Sequence, residues 1–310
     1  MNSSMNPLNL QDTFEEAFSK NFIIVFLGLL IICINGTFVF TFMKSSVFHN
    51  DPRYILYIHL VINDMLMLFV SVTLCVISYA CKHVNLSLCC MFLLIVSTTH
   101  KNTPLNLAGM AIERYIAICK PMHHPQICTV PRTCILICLI WGIGVIPGLS
   151  DLVIAAITCT LSVSYTVTIC SPTFLYNTVY HEEKNKAIQC IYMSTVWLVL
   201  IYTYYRVLVA AKKMTADKIS AKKAQNTILL HGGQLLLCML SYTTPVLDFI
   251  LVLILPTFRT KILFFNYLLT NMLPRLLTPL IYGVRDQKLI QHIKRNFSCK
   301  TIIKVESAKQ

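Results

Sequence analysis

The sequence predicts an all-α membrane protein, a bundle of seven transmembrane helices, and three observations lead to this prediction. Of the 310 residues, 56% are hydrophobic and 13% are charged, which is about half the charged fraction of soluble domains. The mean hydropathy is +0.66. The apolar residues fall into seven blocks, each long enough to cross a bilayer core, which takes about 20 helical residues.

The seven blocks define the domain organisation. The predicted spans lie near residues 22–43, 55–80, 90–119, 133–157, 187–211, 224–254 and 262–284. We expect residues 1–21 to form an N-terminal segment, residues 22–284 the bundle, and residues 285–310 an amphipathic helix and tail. The block that starts at Phe22 is too long for the apolar region of a signal peptide and predicts an uncleaved signal anchor.

The basic residues predict the orientation of the bundle. The net charge is +13, but the basic residues lie at helix ends and in the tail, which favours a topological role over nucleic-acid binding. Eighteen lysines and arginines fall on one side of the predicted membrane and six on the other. The positive-inside rule places the N-terminus outside the cell. The sequons at Asn2 and Asn85 also fall on the predicted outer side, as glycosylation requires.

A motif at the end of the third block points to a family. Residues 110–121 read MAIERYIAICKP. They resemble the (D/E)RY signature of rhodopsin-like G-protein-coupled receptors and the odorant-receptor pattern MA-x-(D/E)RY-x-AIC-x-P. Further matches follow on successive spans, at Asn35, Asp64, Trp141, Pro245 and TPLIY 278–282. The stretches PRYILYIHLVIND and KKAQNTILLHGGQLLLCMLSY resemble teleost fish odorant receptors.

The sequence also departs from that family. The KAFSTC-x-SH motif of mammalian odorant receptors is absent, and the sixth block has SYTTP without a tryptophan. Thr278 stands where the family has the asparagine of NPxxY. These departures bear on the details of activation.

The resemblance implies an ion-pair latch at Glu113, Arg114 and Tyr115. Arg114 is a permanent cation at the membrane edge, and its release from Glu113 would free it for a G-protein helix. Tyr204, Tyr205, Pro279 and Tyr282 are expected to help form the same cytoplasmic pocket. The alternative is a charge pair that only marks the membrane interface.

A second set of polar residues lies in the middle of the predicted membrane. A lone carboxylate is costly there, and in related receptors the acid at Asp64 often holds a sodium ion. Arg275 lies about one helical turn outward of Pro279, near the level of Asp64 in the resemblance. We therefore predict that Asp64 and Arg275 pair, with Asn35 in the same core. The alternative is a protonated Asp64 and an Arg275 that faces a polar cavity.

The ligand pocket is expected between the outer halves of spans three, five, six and seven. The polar groups predicted to lie there are His100, Lys101, Tyr242 and Asp248. An intramembrane lysine is a functional hypothesis by default. Lys101 either contacts an acidic odorant or pairs with Asp248, and the internal pair ranks slightly higher.

The cysteines at the outer ends of the spans predict a disulfide. Cys89 lies about 37 Å of helix before Arg114, which is one membrane crossing. Its expected partner is Cys170 in the second outer loop; Cys90 and Cys159 are alternatives, and Cys81 can also take part. On the opposite side, Cys299 follows residues 286–298, which have the pattern of an amphipathic interfacial helix, and is a palmitoylation candidate.

The resemblance implies a plasma-membrane odorant receptor in the cilia of olfactory neurons. Its partners would be a small odorant, a stimulatory heterotrimeric G protein and membrane lipids, with no metal or cofactor. Receptors for a peptide, lipid or amine share the fold. A transporter is disfavoured because the sequence has no repeated halves, and an enzyme because it has no nucleophile–base pair or metal cluster.

Overall fold

A computed structural model describes residues 13–80, 84–158, 167–168, 170, 178–213, 232–233, 244, 247–248, 250–286 and 288–296. The long helices are α1 (Phe14–Lys44), α2 (Pro52–Ala80), α3 (Leu86–Cys119), α4 (Val130–Thr158) and α5 (Val179–Lys213). Residues 250–254 form the described end of α6. Helix α7 comprises Arg259–Tyr267, the π-helical turn Leu268–Met272 and Leu273–Arg285. Residues 288–296 form α8.

Short elements connect these helices. Three 3₁₀ turns lie at Ser46–Phe48, Pro121–His123 and Pro256–Phe258, and one α-helical turn lies at His124–Ile127. Strand β1 (Val84–Asn85) pairs antiparallel with β2 (Val167–Thr168). This pairing ties the start of α3 to the segment between α4 and α5.

The described helices confirm the predicted membrane bundle. Within the described residues, α1, α2, α4 and α5 are long and apolar enough to cross a membrane. Helix α3 is equally long at 34 residues, but polar side chains interrupt its apolar character. Large apolar side chains such as Phe26, Phe69 and Leu198 are exposed on the outside of the bundle, where lipid would cover them.

The long helices begin earlier than the apolar blocks, and α1, α4, α5 and α7 also end one or two residues later. Helix α1 starts at Phe14, eight residues before the predicted span, because Thr13 caps it by accepting a hydrogen bond from the Glu16 amide. Glu15 and Glu16 then lie in its first turn, where the helix dipole favours acidic residues. The block boundary at Phe22 marks the change to apolar residues and not the start of the helix.

One apolar core joins the helices at the end of the bundle that carries Arg114. Its buried members come from α1, α2, α3, α5, α8 and the turn Ser46–Phe48, and include Phe38, Phe48, Tyr57, Leu107, Val196 and Leu289. Leu289 is only 2% exposed, so α8 packs against the bundle through this side chain. The exposed Lys288, Lys294 and Arg295 lie on its other faces.

Helices α3 and α4 approach closely at two glycines. A Cβ added at Gly144 would clash with the side-chain amide of Asn102, and one added at Gly148 would lie 2.6 Å from Leu94 Cδ1. In the amide orientation that its neighbours require, Asn102 Nδ2 donates to the Ile140 carbonyl at 3.1 Å. The missing side chain at Gly144 therefore leaves room for a polar contact between the Asn102 side chain on α3 and the backbone of α4.

We expect Gly144→Ala to destabilise the folded protein by about 1–3 kcal/mol, because the added methyl group overpacks a full interface. Gly142→Ala is the matched control, since an added Cβ there meets no atom within 4 Å. The midpoint of thermal denaturation in detergent measures the difference. Equal midpoints for the two variants would contradict the close α3–α4 packing.

Candidate functional site

The Arg114 end of α3 holds a cluster of three charged or titratable side chains, Glu113, Arg114 and His124. Glu113 is only 5% exposed. Its Oε2 lies 3.7 Å from Arg114 Nε, as the predicted ion pair requires. Its Oε1 accepts a hydrogen bond from His124 Nε2 at 3.0 Å. One buried carboxylate therefore has two cationic or titratable partners.

His124 was not predicted, and it reaches Glu113 because of local chain geometry. Helix α3 ends at Cys119, and the turn Pro121–His123 leads directly into the helical turn that starts at His124. The backbone amide of His124 donates to the Lys120 carbonyl. These two turns fold the chain back beneath α3. The available sequence signal was the pair His123-His124, ten and eleven residues after Glu113.

The loop between α1 and α2 adds charge beside this cluster. Burial opposes ionisation of Asp51, but hydrogen bonds and charge from Arg53, with a contribution from Arg114, hold its pKa below the usual value. A cavity of about 610 Å³ opens between this loop and the one after α3, and Asp51, Arg53 and His124 line it. The Arg114 end thus presents a concave, charged surface.

The other predicted residues of this end lie at different places. The Tyr115 ring is 5.9 Å from the ring of Tyr202, which sequence reasoning did not select. Tyr204 is half-buried against the core, whereas Tyr205 is 65% exposed. Pro279 is buried in α7, and its carbonyl accepts a hydrogen bond from Tyr57 Oη at 3.4 Å.

The mid-bundle polar core joins α2, α3 and α7. Asp64 Oδ1 lies 4.0 Å from Arg275 Nε, and both side chains are buried. Thr103 Oγ1 donates to Asp64 Oδ1 at 3.1 Å. The Arg275 guanidinium also donates to the Asn271 carbonyl and contacts Met67 Sδ. The predicted neighbours are thus brought together, with Thr103 as an additional partner.

Two further polar side chains complete the middle of the bundle. Asn35 is buried on α1, but no hydrogen bond within the described ranges joins it to Asp64 or Arg275. Trp141 Nε1 donates to His59 Nε2 at 2.8 Å and so links α4 to α2. This bond gives the fourth-span tryptophan a packing role that its sequence match alone did not reveal.

The opposite end carries Cys89, and its predicted disulfide is confirmed. Cys89 and Cys170 are bonded, with Cα atoms 5.4 Å apart, whereas Cys90 is a free thiol. Asn85 is exposed, and its Oδ1 caps α3 by accepting from the Ser87 amide at 2.9 Å. Cys81 and Cys159 lie outside the described residues.

The predicted internal pair of Lys101 and Asp248 is not what the structure shows. Lys101 Nζ donates to Ser97 Oγ at 2.7 Å, and Asp248 Oδ1 accepts from Asn266 Nδ2 at 2.5 Å. No ion pair joins the two across the described part of the bundle. Each side chain is engaged by a neighbour on α3 or α7, which sequence spacing between separate helices could not indicate.

The half of the bundle nearer Cys89 has a different ion pair, which sequence reasoning missed. Lys184 on α5 bonds Asp151 on α4, and its Nζ also donates to Ser150 Oγ and to the Pro147 carbonyl, both at 3.1 Å. His181 Nε2 donates to the Asp151 carbonyl at 3.1 Å. The sequence had placed Lys184 in a loop, but α5 begins at Val179 and carries this lysine inside the helix.

Several of the predicted site residues are not among the residues that the structure describes. Asn2, Tyr242, Pro245 and Cys299 lie outside the described residues, as does the side chain of Tyr282. Most of the predicted sixth span, 224–254, also lies there, so the region of the predicted ligand pocket is described only from the sides of α3, α4, α5 and α7. His100 is half-buried on α3 beside Lys101.

Comparisons with known proteins agree with this arrangement. Residues 34–282 match the family model described as 7 transmembrane receptor (rhodopsin family). Odorant receptor 131-2 of Danio rerio is 29% identical over 299 residues, which cover 96% of this chain and 91% of the relative. Olfactory receptors 4K2 and 4K13 of Homo sapiens are each 24% identical, over 92% and 93% of this chain and 88% and 92% of theirs.

Proposed function

This chain belongs to the rhodopsin family of seven-transmembrane receptors, and on that premise we propose that it is an odorant receptor. Membership makes it a G-protein-coupled receptor of the cell membrane rather than an enzyme. The observation that carries the finer proposal is the similarity to an odorant receptor over 96% of the chain. The proposed activity is to bind a small odorant within the bundle and to activate a heterotrimeric G protein that raises cyclic AMP.

The proposed orientation places the Cys89 end outside the cell. A disulfide such as Cys89–Cys170 persists in an oxidising compartment, which supports this side as the outer one. The excess of lysine and arginine near the Arg114 end supports that end as cytoplasmic. We extend the proposal to glycosylation at Asn2 and Asn85, palmitoylation at Cys299, and placement in the ciliary membrane of olfactory neurons.

The proposed mechanism transfers a change in the outer half to the cluster of Glu113, Arg114 and His124. Helix α3 connects the two regions, since it carries Lys101 near its middle and Arg114 near its end. In the resting state Glu113 partly neutralises Arg114. Ligand binding would shift α3 toward a state in which Arg114 leaves Glu113 and meets the G protein.

Cells that express the chain with a stimulatory G protein provide the test. A panel of water-soluble odorants should raise cyclic AMP above the level in cells that carry the vector alone. Transport of the same compounds without any second messenger would favour a transporter and contradict the proposal. Expression of the gene in tissues other than olfactory epithelium would favour a receptor for a different ligand.

We expect agonist potency to be insensitive to sodium, because the Arg275 guanidinium lies 4.0 Å from Asp64 where related receptors hold the ion. Replacing sodium chloride by N-methylglucamine chloride should change the half-maximal agonist concentration by less than about twofold, since no site differs in occupancy between the two salts. Arg275→Met is the informative variant, because it removes the guanidinium from the place that the sodium ion occupies in related receptors. A clear sodium effect in the unmodified receptor that Asp64→Asn abolishes would contradict the pairing.

A further inference from the structure

Lys101 lies too deep in the bundle to reach water along α3. It is 12 residues from Cys89 and 13 residues from Arg114, which correspond to about 18 Å and 20 Å of helix. Both distances greatly exceed the length of a lysine side chain, so the ammonium group cannot extend to either interface as lysines near helix ends do. Its Nζ donates a hydrogen bond to Ser97 Oγ, a neutral hydroxyl one turn away on the same helix.

Five of the described carboxylates on the Cys89 side of the bundle have partners. Asp151 is bonded by Lys184 and lies 3.9 Å from His181 Nε2. Glu182 and Glu183 are exposed and pair with Lys186. Glu16 pairs with Lys261 at 3.6 Å. Asp248 accepts from the Asn266 amide. None of these carboxylates lies within 4.0 Å of Lys101 Nζ in the described structure.

Lys101 shares its half of the bundle with Asp151 and Lys184, whose charges both act on it. Lys184 is held by three bonds, because its Nζ bonds the Asp151 carboxylate and also donates to Ser150 Oγ and to the Pro147 carbonyl. Asp151 therefore bonds Lys184 directly, and no carboxylate of the described residues lies within ion-pair distance of Lys101.

We propose that the counter-ion of Lys101 is the ligand itself, and that this receptor recognises small carboxylic acids. The inference deepens the proposed odorant function and rests on it. An ammonium group without a protein carboxylate is costly inside a membrane protein, and an anionic ligand that pairs with it removes that cost. A neutral or cationic ligand brings no negative charge, so the free-energy cost of the buried ammonium group remains. Lys101 is thus the specificity-determining residue, and Ser97 is a second donor beside it.

The test compares straight-chain carboxylic acids of four to ten carbons with the primary amides and primary amines of the same chain lengths. Cyclic AMP is measured in cells that express the full chain. We expect at least one acid to activate the receptor with a half-maximal concentration at least tenfold below that of its amide. Activation by amides or amines with no preference for acids overturns this inference and leaves the odorant function intact. Absence of any response from the whole panel contradicts both.

Variants then assign the preference to Lys101. Lys101→Met should raise the half-maximal concentration of the best acid at least tenfold, and Lys101→Arg should retain most of the response because the positive charge remains. Lys186→Met is the matched control, since it removes an exposed lysine from α5 and should leave the acid response unchanged. A Lys101→Met receptor that reaches the surface and keeps its preference for acids overturns the inference.

A binding measurement covers the case in which Lys101→Met folds but no longer signals. The best acid should raise the thermal denaturation midpoint of the purified receptor, and its amide should not. The same acid should fail to stabilise Lys101→Met, while Lys101→Arg should still be stabilised. Equal stabilisation of the unmodified receptor and Lys101→Met by the acid would place the anion site elsewhere.

Discussion

Cys89→Ser is expected to reduce the amount of receptor at the cell surface at least tenfold. The disulfide closes a loop with a sequence separation of 81 residues. In the chain-entropy description, a bond that closes a loop of this length stabilises the folded state by about 4 kcal/mol, a large part of the stability of a typical protein. Its loss would also free the antiparallel pair β1–β2, which lies next to it in the chain.

Surface labelling of an N-terminal epitope, divided by total protein, measures this effect. Cys90→Ser is the matched control, because Cys90 is adjacent in α3 and is a free thiol. Cys170→Ser should reproduce the defect, and the double variant Cys89→Ser/Cys170→Ser should be no worse than either single change. Normal delivery of Cys89→Ser would show that the disulfide is dispensable for folding.

Arg114→Ala is expected to lower agonist-evoked cyclic AMP at least tenfold with surface delivery intact. The proposed mechanism requires this guanidinium both as the partner of Glu113 and as the cation presented to the G protein. Glu113→Gln should act in the opposite direction and raise the signal without agonist several-fold, since it removes the charge that holds Arg114. A shift of about 1–2 kcal/mol in the balance between resting and active states corresponds to a factor of about 5–30.

The control for these variants is Arg132→Ala. Arg132 lies at the same end of the bundle but is exposed and donates only to loop carbonyls, of which Gln126 is the nearest at 2.8 Å. It should leave both basal and agonist-evoked signals unchanged. If Arg114→Ala and Arg132→Ala signal alike, the ion pair at Glu113 only marks the membrane interface.

His124 and Arg114 contact different oxygens of the Glu113 carboxylate. Since His124 Nε2 donates to Oε1 while Arg114 approaches Oε2, the histidine fixes the carboxylate to the loop that follows α3. The sequence could not reveal this partner, because the bond depends on two consecutive turns that reverse the chain after Cys119. The motif identified Glu113 and Arg114 because they are adjacent on one helix, where spacing alone determines proximity.

The sequence by itself determined the membrane bundle, the predicted orientation, the family and the residues of the local motifs. Hydrophobic blocks of bilayer length and the order of motifs along the chain are properties of the sequence, so they can be identified without coordinates. The disulfide belonged to this group only in part, because Cys170 was one of several possible partners. Helix ends were less accurate, since a helix such as α1 continues beyond the apolar block that identifies it.

Apart from Asp64 and Arg275, whose proximity the resemblance predicted, only the tertiary structure decided which polar groups meet across helices. It paired Asp151 with Lys184 rather than Lys101 with Asp248, and it linked Trp141 to His59. These contacts depend on how each helix is rotated about its axis and how closely two axes approach, as at Gly144. Helix rotation is set by the packing of the whole bundle, because no hydrophobic stripe directs it when apolar residues face both lipid and core.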